Sequence, residues 1–296
     1  MTEKTNKKTV SYSQFSNWYI CPRKWKLDYI DKLKTFEDNL IMTFGTAIHE
    51  TIQLYLKTLF NKNEILANRM DLIKYFTWAF KKHIKFKKII HTKEELNDFI
   101  EDGINILKEF KNPVNIFKHF QKSKWELLGI EDELNADIRN NVALTGFIDL
   151  VFREKLTDNI RIIDIKTSNN GWTSYNKEDF SKCAQLILYK ALYSKQHNIP
   201  LSKINVEFYI LKRKLYDQSK SKIKYEQSRI QSFKPSAHQK DVMEVINEFG
   251  TFVDTCFTKD GEYNTSIPYP KNPNGGKNCK YCNYLKNGKC NGKVDV

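Results

Sequence analysis

Between Leu144 and Ser168 apolar and polar side chains alternate with the period of two that marks a β-strand, in two runs, LTGFIDLVF and IRIIDIKTS. In the second run Asp164 and Lys166 project to one face and Ile163 and Ile165 to the other, so charge stands where a buried strand should be apolar. Ionised groups at the edge of a core cost several kcal/mol, roughly, unless they pair or bind a cation. The connection from Arg153 to Asn159 reads as a hairpin, and antiparallel pairing then brings Asp149, near the end of the first run, close to Asp164. Two carboxylates held together repel, and a hard divalent ion such as Mg2+ or Mn2+ relieves that repulsion.

The same patterning predicts the surrounding elements. The first ten residues are polar and are expected to be disordered. Ser11 or Ser13 caps a helix through about Tyr19 that ends near Cys21-Pro22, because proline disfavours helical geometry in the residue before it. A second helix runs from about Thr43 to Phe60. From Met70 to Phe120 the pattern is helical and lysine-rich, an insertion over about 61–124 that either guides DNA or covers the sheet. Strands are predicted at Trp125–Leu134, Asn141–Phe152, Ile160–Thr167, Ile204–Arg213 and Lys224–Phe233. Helices are predicted at Lys177–His197 and Ser236–Phe257. The fold class is therefore α/β, a central mixed sheet flanked by helices, with 11–296 as a single domain.

Composition adds a partner. The 296 residues carry 49 basic and 35 acidic side chains, a net charge of +14, which favours a polyanion. Only 7 of the 49 are arginine, and lysine suits phosphates where bidentate base reading favours arginine. Sequence-independent contact with a nucleic-acid backbone is the expectation. KKHIKFKK and Lys212-Arg213-Lys214 are candidates to line such a path, the first equally readable as a solvated helix face. No apolar run nears the roughly 20 residues of a membrane span, and MTEKTNKKTV lacks a secretory apolar region, which places the chain in a cytoplasm, bacterial or phage-infected. Six cysteines there are not expected to form disulfides. Gly275-Gly276-Lys277 lacks the other residues of a phosphate loop, so no helicase motor is present in this sequence.

GFIDLVF followed by RIIDIKTS resembles the PD-(D/E)XK nuclease superfamily, and specifically its RecB-like branch. FGTAIHETIQLYL supplies His49 on an early helix, and CAQLILYKALYS supplies Gln185 and Tyr189, four residues apart on one helix face. A cysteine in SYSQFSNWYICPRKWKLDYI and three in CKYCNYLKNGKC resemble the iron-sulfur nucleases, among them AddB-type recombination nucleases and CRISPR-adaptation exonucleases. The resemblance implies a restriction-endonuclease-like core and Mg2+- or Mn2+-dependent DNA hydrolysis, exonucleolytic on single strands or ends, in recombination, repair or processing, with a helicase or recombination protein as partner. Alternatives are a structure-specific or restriction-like endonuclease, and a non-catalytic iron-sulfur DNA-binding subunit of a helicase or integrase complex.

It further implies that His49, Asp149, Asp164 and the Ile165 backbone carbonyl bind the metal, that Lys166 activates water, and that Gln185 and Tyr189 hold the Lys166 strand or contact DNA. Aspartate at 164 departs from the commoner glutamate of the superfamily. Glu131 and Glu133 are read as a solvated strand face, with one as a candidate for the metal shell. Cys279, Cys282 and Cys290 have no local fourth ligand, and the resemblance gives that role to Cys21 in a 4Fe-4S cluster stapling the first helix to the cysteine-rich segment of about 266–290, with zinc as the alternative. Cys183 and Cys256, amid apolar helical residues, read as buried thiols.

Overall fold

The structure is a computed structural model that describes residues 7–34, 38–219 and 224–293. A short strand β1 (Lys8–Val10) leads into α1 (Tyr12–Ile20). Cys21 is extended and Pro22 opens α2 (Pro22–Tyr29), where its missing N–H costs nothing. The long α3 (Leu40–Asn61) is capped by Asn39, whose side chain accepts from the Met42 N–H at 3.0 Å. Four helices follow: α4 (Glu64–Arg69), α5 (Leu72–Lys87), α6 (Lys93–Phe110) and α7 (Pro113–Phe120), with a Thr92/Glu95 capping box opening α6. Then come β2 (Trp125–Asp137), β3 (Val142–Glu154), β4 (Ile160–Ser168), α8 (Ser174–Glu178), α9 (Phe180–His197), β5 (Ile204–Lys212), β6 (Ile230–Phe233), α10 (Gln239–Cys256) and α11 (Asn283–Lys286).

Among the described residues six strands form one mixed sheet in the order β1-β3-β4-β5-β6, with β2 also paired to β3. β4 and β5 run parallel, and α9 supplies the crossover such a pair needs. One edge of β3 is taken along its length by antiparallel β2. Its other edge is divided. β1 pairs with Val142–Leu144 in parallel and β4 pairs with Leu150–Arg153 antiparallel, so 145–149 carry no strand on that side among the described residues.

Two cores lie on opposite faces. Against one face pack α1, α9 and α10, with Trp25 fully buried 5.8 Å from Phe252. Against the other pack α3, α5, α6 and α7, where Phe44, Phe76, Phe80, Phe110 and Phe120 meet Ile163, Ile165 and Tyr209. The segment without visible chemistry thus builds most of the layer that covers this face. No helix among the described residues is long and apolar enough to cross a membrane.

Three expectations need correction. Lys8–Val10, read as part of a disordered terminus, is a strand, because Val142–Leu144 offers it a free edge; residues 1–6 of that reading lie outside the described residues. The strand expected over Lys224–Phe233 is confined to Ile230–Phe233. Before it, glutamine side chains replace the ladder: Gln218 exchanges two hydrogen bonds with the Tyr225 backbone and Gln227 two with that of Tyr216, each at 2.8 Å. The helix expected from Lys177 is interrupted at Asp179, which caps α9 by accepting from the Ser181 N–H at 2.9 Å.

Gly103 of α6 tests the packing of the insertion. A Cβ there would lie 2.2 Å from Phe76 Cε1, and Phe76 is wholly buried. Gly103→Ala gains about 1 kcal/mol of helix propensity but overpacks at a typical cost of about 1–3 kcal/mol. Since 2.2 Å is far inside contact distance, the clash should win and lower the melting temperature. A thermal melt at or above that of the wild type would contradict the packing described here.

Candidate active site and cysteine cleft

The divided edge of β3 creates the site. The last β3–β4 pair before the gap is Leu150 with Ile163, and the next ladder position on β4 is filled by a side chain: Asp149 Oδ2 accepts from the Ile165 N–H at 2.6 Å. Alternation in β3 breaks here. Ile148 packs into the first core and Leu150, two residues on, into the second. Opposite, between the pairs Ile130–Leu150 and Asp132–Ile148, Glu131 faces Asp149 unpaired and takes a left-handed φ of 50°, with no change of register.

Helices from both faces meet at this splay. His49 of α3 places Nδ1 3.7 Å from Asp149 Oδ2. Gln53, one turn on, donates to Glu131 Oε1 at 2.5 Å. Glu131 is exposed, as expected of a solvated strand face, but also ties to α3 through Gln53, which was missed although its i+4 spacing from His49 was the available signal. From α9, Gln185 Oε1 accepts from Lys166 Nζ at 3.1 Å, and Gln185 Nε2 donates to the Tyr189 hydroxyl at 3.4 Å. Gly146 makes room for that hydroxyl, since a Cβ there would stand 2.8 Å from it. Lys166 Nζ also donates to Asp164 Oδ1 at 3.0 Å. Asp164 Oδ2 lies 2.8 Å from the same nitrogen but takes no hydrogen bond of acceptable angle, and it is buried.

Burial raises both carboxyls to about 6, against the pull of Lys166 on each and of the Ile165 N–H on Asp149. Burial also lowers His49 to about 4, so it is a neutral imidazole at pH 7, the form that binds metals. Burial would likewise depress Lys166, but the Asp164 and Asp149 charges outweigh it and hold the ammonium above its ordinary value. With side-chain exposures of 7% for Asp164 and 34% for Lys166, the lysine is the member that meets solvent. As the side chains stand, no three His, Cys, Asp or Glu among the described residues form a ready metal cage. The buried Asp164 Oδ2, ion-paired with Lys166 but without a hydrogen bond, and two carboxyls resisting ionisation nevertheless fit a hard cation, which would satisfy the oxygen and neutralise the pair.

The structure brings Cys21, Cys279, Cys282 and Cys290 to one cleft, which Arg23 and Lys24 also line. Burial and the neighbouring Cys282, Cys290 and Cys21 thiols push the Cys279 thiol up. Arg23 Nε is buried there without an acceptor. A sulfur-ligated anionic group fits four thiols and an unpartnered donor. The cysteine-rich segment is also tied to the first helices without the cysteines: Asn272 and Asn278 donate to the Ile20 carbonyl at 3.0 and 2.9 Å, and the Tyr284 hydroxyl donates to Asp28 Oδ1 at 2.6 Å. Cys183 and Cys256 are buried, as expected. Arg213 and Lys214 do not line an open path. Both pair with Asp98 and Asp102 of α6, and the Arg213 guanidinium lies 3.5 Å from the Phe99 ring centre.

The raised carboxyls have a measurable consequence. A folded-state value near 6 means that folded protein holds protons the unfolded chain releases near 3.8; this stabilisation is complete below about pH 4 and is lost as pH rises through about 6. For Asp149 the gap corresponds to roughly 3 kcal/mol disfavouring the charged form. Asp149→Asn keeps an acceptor for Ile165 and removes the charge. In chelator it should be more stable than wild type by about 1–3 kcal/mol above pH 7, the difference closing towards pH 4. Adding Mg2+ or Mn2+ should stabilise only the wild type. Denaturant midpoints across pH decide this, and a variant less stable at pH 8 in chelator would refute it.

No curated protein matches the chain. Among solved structures, one from Eubacterium rectale provisionally described as an exonuclease overlaps with a TM-score of 0.49 at 9% identity, covering 85% of this chain and 83% of that one. A second, SSO0001, overlaps with a TM-score of 0.37 at 12% identity, covering 100% and 90%. These likenesses are too loose to carry an argument. The sequence profile of a nuclease superfamily matches residues 9–286, which takes in every strand but the first residue of β1 and all the residues gathered at the splay. The chain belongs to the PD-(D/E)XK nuclease superfamily.

Proposed function

We propose that the chain from β1 onward forms one nuclease domain that hydrolyses DNA with Mg2+ or Mn2+, acting exonucleolytically on single strands or ends. The observation that carries this reading is the buried Asp164 Oδ2 beside Asp149, ion-paired with Lys166 but without a hydrogen bond, with Lys166 held over it by Gln185. A binding module has no use for two carboxyls that burial holds near 6. Asp149, Asp164 and His49 would hold the ion, with the Ile165 carbonyl completing the protein ligands as the RecB-like resemblance implies. When bound, the ion offsets phosphate charge and makes water a better nucleophile near neutral pH. Lys166, charged and partly exposed, orients the attacking water and offsets charge that develops on the phosphate. Gln185 fixes the Lys166 ammonium through Oε1, and Tyr189 fixes the Gln185 amide.

Asp164→Ala and Lys166→Ala should each lower cleavage by at least about 100-fold, the range for losing an electrostatic or acid–base group. DNA binding should be largely retained. End-labelled single strands and circular DNA, incubated with metal or chelator, test both activity and mode. Wild-type-like cleavage by either variant would remove these residues from the chemistry, and degradation of circles would replace the exonuclease with an endonuclease.

We further propose that Cys21, Cys279, Cys282 and Cys290 ligate a 4Fe-4S cluster. The four thiols lining one cleft with Arg23 support this over zinc, which tolerates but does not need an all-thiolate set. Anaerobically purified protein should be brown and contain iron and sulfide. Cys21→Ser should lose the iron as fully as Cys282→Ser, whereas Cys183→Ser and Cys256→Ser keep it. Full iron in Cys21→Ser would show the ligand set to be wrong.

A further inference from the structure

Helix α5 carries Lys74, Lys81, Lys82, Lys85 and Lys87, with Lys88 as its C-cap, and not one acid over Leu72–Lys87. Its inner face, Leu72, Phe76, Ala79, Phe80 and Ile84, is spent in the second core. The outer face is not a plain solvated surface. Trp78 is 55% and Phe86 81% exposed, among the exposed Lys74, Lys81, Lys82 and Lys85. On a helical wheel Lys81, Lys74, Lys85, Trp78, Lys82 and Phe86 follow one another across one sector. Lys82 Nζ already lies 4.8 Å from the centre of the Trp78 ring.

Of these lysines only Lys87 meets a carboxylate, Asp38 at 2.8 Å; among the described residues Lys74, Lys81, Lys85 and Lys88 have no ion pair. Like charges three and four apart, as in Lys81–Lys85 and Lys82–Lys85, destabilise a helix by about 0.2–0.5 kcal/mol per pair. Lys81, Lys85, Lys88 and His91 also line a shallow groove between α5 and the start of α6. Solubility accounts for lysines, but not for a tryptophan and a phenylalanine set among them.

The position of the face relative to the splay matters as much as its composition. His83 Nε2 lies 2.9 Å from Glu50 Oε2, the residue after His49, and the Lys87–Asp38 pair ties the end of α5 to the approach to α3. Phe44 of α3 packs edge-on to Phe76 and Phe80. Next to it, Gly45 abuts Thr167, the residue after Lys166: a Cβ there would lie 3.2 Å from Thr167 Oγ1. The lysine-rich half of α5 is thereby held beside the end of α3 that reaches the site.

We propose that the outer face of α5 is a single-stranded DNA platform that leads strand into the site, with Trp78 and Phe86 stacking on bases and Lys81, Lys82, Lys85 and Lys88 neutralising phosphates. This rests on the nuclease reading for its direction towards the site, but not for binding itself. Aromatic faces set in a cationic track are what sequence-tolerant single-strand binding requires, because every base has a π-face and every nucleotide a phosphate. Duplex DNA would contact the lysines and leave the rings idle.

The test is anisotropy of a fluorescein-labelled oligothymidylate of about 20 nucleotides, longer than the roughly 4–16 that one module covers, in chelator over a salt series. Trp78→Ala should weaken binding by about 5- to 150-fold, the equivalent of the 1–3 kcal/mol typical of a lost stacking platform. Trp78→Phe should recover most of that. Lys81→Gln with Lys85→Gln should make the log-log salt slope shallower by roughly 1.4, about 0.7 for each phosphate contact on a single strand. Affinity within twofold of wild type in Trp78→Ala, or an equal loss on a duplex of the same length, would overturn the proposal. If wild-type protein cleaves DNA with metal while these variants bind normally, the platform fails and the nuclease reading stands. If the variants lose binding but wild type never cleaves, the failure is the reverse.

Discussion

The hydrogen bond from the Ile165 N–H to the Asp149 carboxylate decides how the centre of the sheet is built. β3 and β4 pair as ordinary antiparallel strands up to Leu150 and Ile163, where a further backbone pair would zip the sheet shut. Because a side chain takes that N–H instead, the ladder stops without leaving a buried donor unsatisfied. β1 then claims the far end of the same edge of β3, so the gap between is bounded on both sides. Helices from opposite faces can reach it, α3 with His49 and α9 with Gln185. A fully paired sheet would separate them.

The gap concentrates charge where water is scarce. Two carboxyls with raised values and one ammonium held above its own make a cluster whose members are each costly to bury and only partly paid back by Lys166. Lys166 cannot serve both acids equally. It bonds Asp164 and Gln185, while Asp149 takes the Ile165 N–H. A second positive charge, absent from the side chains, is what the arrangement lacks. Neighbouring residues hold the geometry rather than relieve the charge: Gly146 admits the Tyr189 hydroxyl, and Gln53 ties α3 to Glu131 of β2.

What was legible in the sequence follows from how local the signal is. Asp164 and Lys166 declare themselves through alternation within a strand, whereas Gln185 and Tyr189 are singled out only by the family resemblance, their spacing adding that they share a helix face. β1 did not show, because three residues hold no period and its partner begins 134 positions on. The contact of Glu131 was hidden for a related reason: its left-handed backbone leaves no mark on the polar pattern, and Gln53 lies 78 residues away. Lys212-Arg213-Lys214 read as free charge since Asp98 and Asp102 are more than a hundred positions upstream. Charge runs are the weakest of these signals, as the opposite fates of Arg213 and the α5 lysines show. Arg213 is half-buried against acids, whereas Lys74, Lys81, Lys82 and Lys85 face solvent.

The cysteine cleft obeys a different logic from a small metal-folded module. In such a module the ligand set has no framework of its own, so the binding free energy is the folding free energy. Here the tail is already seated by Asn272 and Asn278 on the Ile20 carbonyl, by Arg23 N–H on the Pro270 carbonyl, and by Tyr284 on the buried Asp28. Hydrogen bonds of this kind contribute about 1 kcal/mol each, more where a charge accepts. They bring three thiols of this segment to the cleft that Cys21 also lines, although no three of the four stand as a ready metal cage. The segment is therefore seated by hydrogen bonds of its own, while the four thiols would still have to close on any group bound between them.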